Sequence, residues 1–485
     1  MELGFAPNGR GGQNGALFDH RAFIVTPNLE MMQRNKPTPS ESKRSGEFAQ
    51  LIRLALPLMG AQLAQMGMGV VDTVMAGRVG AVDLAGVALG GSVLWPVMLL
   101  SMGFLQAITP TVAQLNGAKR QGEIGEYIRQ GLWLAIVSTI VICLVITNAG
   151  PYYAFMGVAP DAVAVALPYL AATAWGIPAL MGYFTLRFLA EGLGFTRPAL
   201  FIAVTALLLK IPLNYLFIYG GPGIPAMGGV GCGYATAIVM WVELIAIVIV
   251  VTRQRFHPVG WIDRFSWPQW EKIQHLMVIG LPIGATLFFE VGFFTFVTIL
   301  LGRFGAEIVA SHTIAMNLGG ITFMFPLALG MAATIRVGFN IGAGRPDLAR
   351  RTAQVAVAST VIIAMFCALI VVIGREVIAD LYTNDVTVLA LAAELMLFVA
   401  VFQLFDNCQA TAIGALRGYK DTRVPMLMTL IGYWFIGLPV AATLGFGWLG
   451  NPLGVHGFWY GLIVSLICVA AMVVSRLFFV ARRSL

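Results

Sequence analysis

Charge is scarce in this sequence: Asp, Glu, Lys and Arg together make up 11% of its 485 residues, against roughly 25% in a soluble globular protein. The shortage excludes an ordinary water-facing surface. Cysteine is scarce too. The five present (Cys143, Cys232, Cys367, Cys408 and Cys468) have no paired spacing, which indicates neither a disulfide framework nor a zinc site. The first residues lack the apolar h-region of a signal peptide. Long alternation of apolar and polar residues is missing, which argues against a membrane barrel. There is also no phosphate loop, no His-rich metal cluster and no nucleophile with its base. Neither an enzyme, nor ATP hydrolysis by the chain, nor a metal or organic cofactor is expected.

What is present in abundance is hydrophobicity: 58% of residues are hydrophobic and the mean hydropathy is +0.83. Apolar runs of about 20 residues, enough to cross ~30 Å of hydrocarbon, recur from Leu51 to Val480. They predict an all-α polytopic membrane protein whose solvent is the lipid bilayer. Twelve transmembrane helices are expected, near 50–75, 84–110, 129–149, 162–190, 199–219, 229–252, 275–301, 309–336, 352–373, 386–415, 425–446 and 455–480. Residues 1–48 differ in kind, being rich in Gly, Pro, Asn, Ser and Arg. They read as a disordered cytosolic tail, with Met31 and Met32 as alternative starts to Met1.

The net charge of +7 does not call for nucleic acid, because the basic residues sit mostly between the spans. One side holds Lys119, Arg120, Arg129, Arg197, Arg253, Arg255, Arg264, Lys272, Arg345, Arg350, Arg351, Arg417, Lys420, Arg423, Arg482 and Arg483. The other holds only Arg78, Arg303 and Arg375 as clear members. By the positive-inside rule the first side, with both termini, is cytoplasmic.

The chain also repeats itself. Leu56-Pro57 recurs as Leu281-Pro282, Gly77-Arg78-Val79-Gly80-Ala81 as Gly302-Arg303-Phe304-Gly305-Ala306, and Gly117-Ala118-Lys119-Arg120 as Gly342-Ala343-Gly344-Arg345, all at one offset of 225 residues. An offset spanning six helices keeps the orientation, so the halves are parallel repeats about an axis along the membrane normal. The expected domains are a tail (1–48), an N-terminal six-helix bundle (49–252), a cytoplasmic linker (253–274) and a C-terminal six-helix bundle (275–485). Two pseudo-symmetric bundles around a central cavity are the usual plan of a transporter. Duplication in a channel or membrane enzyme is the alternative.

Inside a span an ionisable side chain costs several kcal/mol unless paired or wet, and so marks function by default. Asp72, Lys210, Glu290 and Asp406 fall inside predicted spans. Asp72 could instead be an interfacial carboxylate facing Arg78, Glu290 a hydrogen-bonded lock between helices, and Lys210 a snorkelling cation. Glu243 and Glu394 rank lower, each about two turns from a span end. Arg187, Glu191 and Arg336 sit near predicted cytoplasmic ends, where snorkelling or a loop salt bridge accounts for them. His312 reads as a satisfied polar contact, and Phe288-Phe289 and Phe293-Phe294 as lipid-facing or packing side chains. A desolvated carboxylate can take up a proton near neutral pH or recruit Na⁺. Pro57, Pro212, Pro282 and Pro439 free backbone carbonyls within spans.

Whole strings then resemble the MATE (multidrug and toxic compound extrusion) family, NorM subgroup, from about residue 48 to 480. They include Gln65-Met66-Gly67-Met68-Gly69, Val71-Asp72-Thr73-Val74-Met75-Ala76-Gly77, Val112-Ala113-Gln114-Leu115-Asn116-Gly117-Ala118, Ile211-Pro212-Leu213-Asn214, Gly228-Gly229-Val230-Gly231-Cys232-Gly233, Phe288-Phe289-Glu290-Val291 and Leu416-Arg417-Gly418-Tyr419-Lys420-Asp421. The resemblance implies an antiporter that expels organic cations in exchange for H⁺ or Na⁺, with two six-helix bundles around a cavity alternately open to each side. Its coupling-ion carboxylates fall on Glu290, Asp406 and Asp72. Lys210, Asn214, Gln65, Phe289, Phe402 and Gln403 are expected at the cavity or substrate. Two positions depart from the subgroup: Lys210 stands where Asn is frequent, and Phe402 where Tyr is frequent.

The reading is thus a multidrug efflux antiporter of the bacterial inner membrane, working as a single chain. An aromatic and Met-lined cavity would hold the drug, with Glu290 and Asp406 supplying negative charge to it. Lys210 and Asn214, four residues apart on one helix face, are expected to look toward Asp72. A lipid-linked precursor flippase is the alternative. It would want a strongly cationic cavity, and one lysine beside three carboxylates fits it less well.

Overall fold

The computed structural model describes residues 46–484 apart from 222, 384 and 449. The expectation of a cytosolic tail falls outside the described residues, apart from its last few positions. Long helices follow: α1 (Glu47–Val79), α2 (Ala81–Gly117), α3 (Gln121–Thr147), α4 (Pro160–Ala174 and Ile177–Gly192), α5 (Arg197–Tyr219) and α6 (Gly229–Val251). The second half continues with α7 (Trp270–Phe304), α8 (Ala306–Gly342), α9 (Pro346–Asp380), α10 (Val386–Gly418), α11 (Arg423–Phe446) and α12 (Val455–Arg483). Eleven are long and apolar enough to cross a membrane unaided, and α4, bent by 51° at its break, makes the twelfth when counted as one span. The expected helices are all there.

Several are longer than their apolar runs. Helix α9 begins at Pro346 and ends at Asp380, outside the expected 352–373, because it carries Arg350 and Arg351 at one end and Arg375 at the other. Hydropathy detects only the part of a helix that lies in hydrocarbon. The helix goes on into the polar layer for as long as its backbone bonds are made. Helix α7 likewise starts inside the stretch expected as linker.

The repeat reappears as geometry at the basic face, the end that gathers the Lys and Arg residues. Helices α2 and α8 close with backbone bonds from Arg120 to Leu115 (2.9 Å) and from Arg345 to Asn340 (2.9 Å), and α4 and α10 close with Phe195 to Ala190 (2.8 Å) and Asp421 to Leu416 (3.0 Å). These are the six-to-one bonds of a Schellman turn, which needs a left-handed residue just past the helix. Gly194 and Gly344 take that place in two turns, at φ 85° and 67°, but Lys119 and Lys420 take it in the others, at φ 60° and 62°.

Two clusters of buried apolar side chains form the core. One draws on α1–α6 and includes Leu276, Ile279 and Ile283 from the start of α7. The other draws on α7–α12 and includes Leu51 and Ala55 from the start of α1. Helices α1 and α7 therefore each begin against the opposite half and end with their own. Backbones meet closely at the basic end: a Cβ on Gly103 of α2 would fall on the backbone of Gly284 in α7, and one on Gly117 would fall on the Phe339 carbonyl of α8. Hydrogen bonds between the halves also lie there, from Gln114 Nε2 to the Gly418 carbonyl (2.9 Å) and from Arg417 to Gln106 (3.2 Å). Glu47 joins them, accepting from Arg336 at 3.3 Å and from Thr352 at 2.9 Å. Among the described residues no such bond occurs toward the other end. The halves are joined at the basic face.

The segment between the halves is bolted to α3. Buried Arg129 bonds Glu126 (2.7 Å), the Gly260 carbonyl (2.8 Å) and Ser266 (2.9 Å), while Glu126 also accepts from Ser266 and Arg264. Arg129 is thus part of a structural clamp, where the sequence suggested only a loop charge. At the far end Asp385 caps α10, and the Val388 and Thr387 amides it accepts hold its carboxyl below the usual range.

Candidate functional site

In the second half, Glu290 of α7 and Asp406 of α10 line one cavity of about 160 Å³, with Phe294, Met316, Phe323 and Phe402 around them. Gly319 and Gly320 of α8 complete the lining, and the missing side chains at these two positions leave the space open. Glu290 Oε1 accepts from Gln409 Nε2 at 3.2 Å. Gln409 is held in turn by Tyr433, whose hydroxyl donates to its Oε1 at 2.9 Å. Tyr433 comes from α11 at a π-helical stretch, Ile431–Gly437, a local widening that often accompanies functional sites. Its ring stacks on Phe293 with centroids 5.1 Å apart.

Asp406 differs from Glu290. It is buried, and its Oδ1 has no hydrogen-bond partner among the described residues. The amides of Gln403 and Asn407 beside it are also buried and unpartnered. Native structures leave few such atoms unsatisfied, and a group of them asks for an ion or water. Two carboxylates around one small apolar space repel each other, which favours a proton or a cation between them. At about 30 Å³ per water the cavity has room for a few waters or an ion. The lining has the aromatic and Met side chains that were expected around the two carboxylates.

In the first half, Lys210 Nζ lies 2.8 Å from Asp72 Oδ2, and Asn214 Nδ2 donates to Asp72 Oδ1 at 2.8 Å. Lys210 also donates to Thr236 of α6 at 2.8 Å. The one-face spacing of Lys210 and Asn214 delivers both to the same carboxylate, as expected. Neither Lys210 nor Asp72 reaches solvent freely (4% and 8% exposed), which removes both the snorkelling reading and the interfacial one.

Other expected site residues are placed less centrally. Phe402 lines the cavity, but Phe289 does not: its carbonyl accepts from Trp434 at 3.1 Å and its ring meets Phe288 edge-on. Adjacent helical residues point about 100° apart, so Phe294, four residues beyond Glu290, shares its face and Phe289 cannot. Phe294, read from sequence as a packing side chain, is the aromatic of the site. Gln65 is half-buried and outside the cavity lining. Gln403 is buried beside Asp406 without lining the cavity.

The lower-ranked groups also change standing. Glu243 is fully inside the first half, 2% exposed. Glu394 pairs with His456 at 3.0 Å and is exposed. Arg187 and Glu191, for which snorkelling was an option, form a buried ion pair at 2.6 Å, with Gln62 at 3.1 Å. His312 meets Thr298 at 2.9 Å through Nε2 and packs edge-on to Trp459. Sequence reasoning missed Gln409 as the partner of Glu290, and Tyr433, Thr236, Met316 and Phe323 altogether. Only Phe294 carried a usable signal, its spacing from Glu290.

Comparison with known proteins bears on all of this. The family model MatE matches residues 57–216 and 282–443, one match in each half, again starting 225 residues apart. The chain is 44% identical over 440 residues to multidrug resistance protein PmpM of Pseudomonas aeruginosa, covering 90% of this chain and 92% of that one. It is 42% identical over 440 residues to multidrug resistance protein NorM of Vibrio vulnificus, covering 90% and 96%. Among solved structures it resembles an outward-facing multidrug resistance MATE family transporter of the MOP superfamily, with a TM-score of 0.82 over 92% of this chain and 100% of that one, at 19% identity. The Vibrio cholerae MATE transporter VcmN in its bent form is similar at a TM-score of 0.80 and 17% identity, over 90% and 98%. At such identities the structural likeness speaks to the fold alone. The family model and the close relatives together cover nearly all of the twelve helices, and the chain belongs to the MATE family of membrane transporters.

Proposed function

We propose that this chain is a cation-coupled multidrug efflux antiporter of the bacterial inner membrane, expelling small organic cations. The observation that carries the reading is the pair Glu290 and Asp406 on one cavity, surrounded by apolar and aromatic side chains. A proton or Na⁺ neutralises that pair. The aromatic and Met side chains of that cavity, Phe294, Met316, Phe323 and Phe402, offer the drug loose apolar binding. The basic face and both termini are cytoplasmic by the charge rule, so a chain joined at that face is open outward, the state that takes up ions and releases drug. Ion loss inward and rocking of the halves complete the cycle.

Of the two ions, H⁺ is favoured. The oxygens of Asp72 are taken by Lys210 and Asn214, so a built-in ammonium occupies the place of a Na⁺ in the first half. In the second half Phe402 brings no oxygen to the cavity. Lys210, being neutralised by Asp72, also leaves no free cation there for a pyrophosphate, which disfavours the lipid-precursor flippase. Transport needs neither an organic cofactor nor nucleic acid, and one chain is the transport unit. The test is efflux in inverted membrane vesicles with Na⁺ and pH gradients imposed separately. Drug movement that follows the pH gradient is expected. Drug movement driven by ATP with both gradients collapsed would overturn the reading.

A further inference from the structure

Apart from the Glu126–Arg129 clamp, five acidic or basic side chains are buried within the first half: Asp72 on α1, Arg187 and Glu191 on α4, Lys210 on α5 and Glu243 on α6. Two carboxylates have a cation of their own, Asp72 with Lys210 at 2.8 Å and Glu191 with Arg187 at 2.6 Å. Glu243 has none. Among the described residues no hydrogen bond or ion pair reaches it, and its Oε1 is buried without a partner. The groups near it are Tyr183 and Arg187 from α4 and Lys210 from α5, with Glu191 behind Arg187 and Asp72 behind Lys210. Packing of Gly182 against Leu244 holds the two helices together at this level.

Two cations against three carboxylates leave one negative charge too many for a dry interior, where an unpaired charge is costly. The hydroxyl of Tyr183 and Oε2 of Glu191 are buried and unpartnered as well. Tyr183, Arg187 and Glu191 stand four residues apart in succession, one stripe along α4 that ends at the basic face. Unpartnered atoms at Tyr183 and Glu191 of α4 and at Glu243 of α6 point to a small occupant. Among the described residues no group of three or more His, Cys, Asp or Glu side chains could hold a metal ion, and the occupant that fits a lone carboxyl is a proton and the water that carries it.

We propose that Glu243 is a proton-binding site of the first half, holding its proton in the state described and exchanging it with water at the basic face along the Tyr183–Glu191 stripe. On release the Glu243 O–H bond breaks, the proton passes to water in the stripe, and the carboxylate left behind is the one excess charge beside the paired Arg187 and Lys210, which favours its taking a proton again. No electrons change hands, and uptake is the reverse. The proposal rests on the ion-coupled reading above and adds to it a proton that Glu290 and Asp406 do not carry.

Two measurements on the purified full chain in proteoliposomes test it without needing transport. Dicyclohexylcarbodiimide labels protonated carboxyls in apolar surroundings, and peptide mass spectrometry reads the position. Glu243 should be labelled near pH 7, with the label falling by about tenfold for each pH unit above its midpoint. An unlabelled Glu243 from about pH 6 to about pH 9 would overturn the proposal. Proton uptake after a pH jump should lose one proton per chain in Glu243→Gln and keep it in Glu243→Asp. Equal uptake by wild type and Glu243→Gln would overturn it too. Glu290→Gln separates the two readings: if it abolishes pH-driven efflux while the Glu243 label stays, both stand. If vesicle efflux ignores the pH gradient but Glu243 still labels, only the coupling reading fails.

Discussion

Two acids of the same kind sit in the second half in unequal company, and their chemistry follows from it. Glu290 is tied to Gln409 and through it to Tyr433, whereas Asp406 has only unpartnered amides nearby. Each is the sole acid its helix contributes to the cavity, so neutral isosteres should remove the ion without changing shape. Glu290→Gln and Asp406→Asn are each expected to abolish coupled efflux in inverted vesicles while expression and insertion stay near normal. Full efflux with unchanged ion dependence in either variant would sink the assignment. Lys210 gives a second, opposite test. Breaking a buried pair by removing one partner costs about 3–5 kcal/mol, so Lys210→Asn should lower the thermal midpoint in Na⁺-free detergent. Added Na⁺ should restore it by filling the vacated place beside Asp72, and transport should gain a Na⁺ dependence. A variant as stable as the parent and indifferent to Na⁺ would refute the built-in cation.

Helix ends at the basic face are closed by one device used four times, and two of the four uses violate a local rule. Lys119 and Lys420 take a left-handed conformation that costs an L-residue with a Cβ roughly 1–2 kcal/mol. Lys420 carries a further cost, because burial pushes its ammonium down to about 8. Lys119 is exposed, so its backbone can be tested alone. Lys119→Gly should stabilise the protein by about 1 kcal/mol, read as a higher thermal midpoint in detergent, and Lys119→Ala should not. Equal midpoints for the Gly and Ala variants would show that the strain is relieved elsewhere. The π-helical turn in α11 is another element-scale departure. It turns Tyr433 onto Gln409 from a helix that shares no sequence spacing with α7 or α10, which is why no pattern in the chain announced it.

At the scale of the molecule, two halves joined at one face make a lever, and the cavity on one arm decides what the lever carries. If Glu290 and Asp406 each take up an ion while one monovalent drug cation leaves, one net charge crosses the membrane per cycle. That charge is worth ~2.3 kcal/mol per 100 mV, or roughly a 50-fold drug gradient. Efflux should therefore quicken in proteoliposomes when an inside-negative potential, referred to the cytoplasmic side, is imposed with valinomycin and K⁺. Transport indifferent to that potential would mean the two carboxylates share a single ion. The crossing of α1 and α7 between the halves also has a consequence at this scale. Their first turns stay with the opposite half, so rocking must bend them, and Pro57 and Pro282 lie inside these helices where bending costs least.

Much of this was legible along the chain. The thickness of hydrocarbon dictates span length, so twelve helices and their alternating direction could be read from hydropathy and loop charge. A duplicated chain repeats its strings, and the same 225-residue offset reappears in the two family matches. Because charge is costly inside a bilayer, Asp72, Lys210, Glu290 and Asp406 stood out, and helical spacing alone brought Lys210 and Asn214 to one face. Tertiary structure decided what no single helix contains. Gln409 bonds Glu290 although it lies three residues from Asp406, Phe294 replaces Phe289 at the cavity, and Glu243 proves deeply buried with no cation of its own. The basic end is also the one at which the halves are joined. Each of these depends on side chains and glycines brought together from different helices, and a distance between helices has no spacing in the sequence to reveal it.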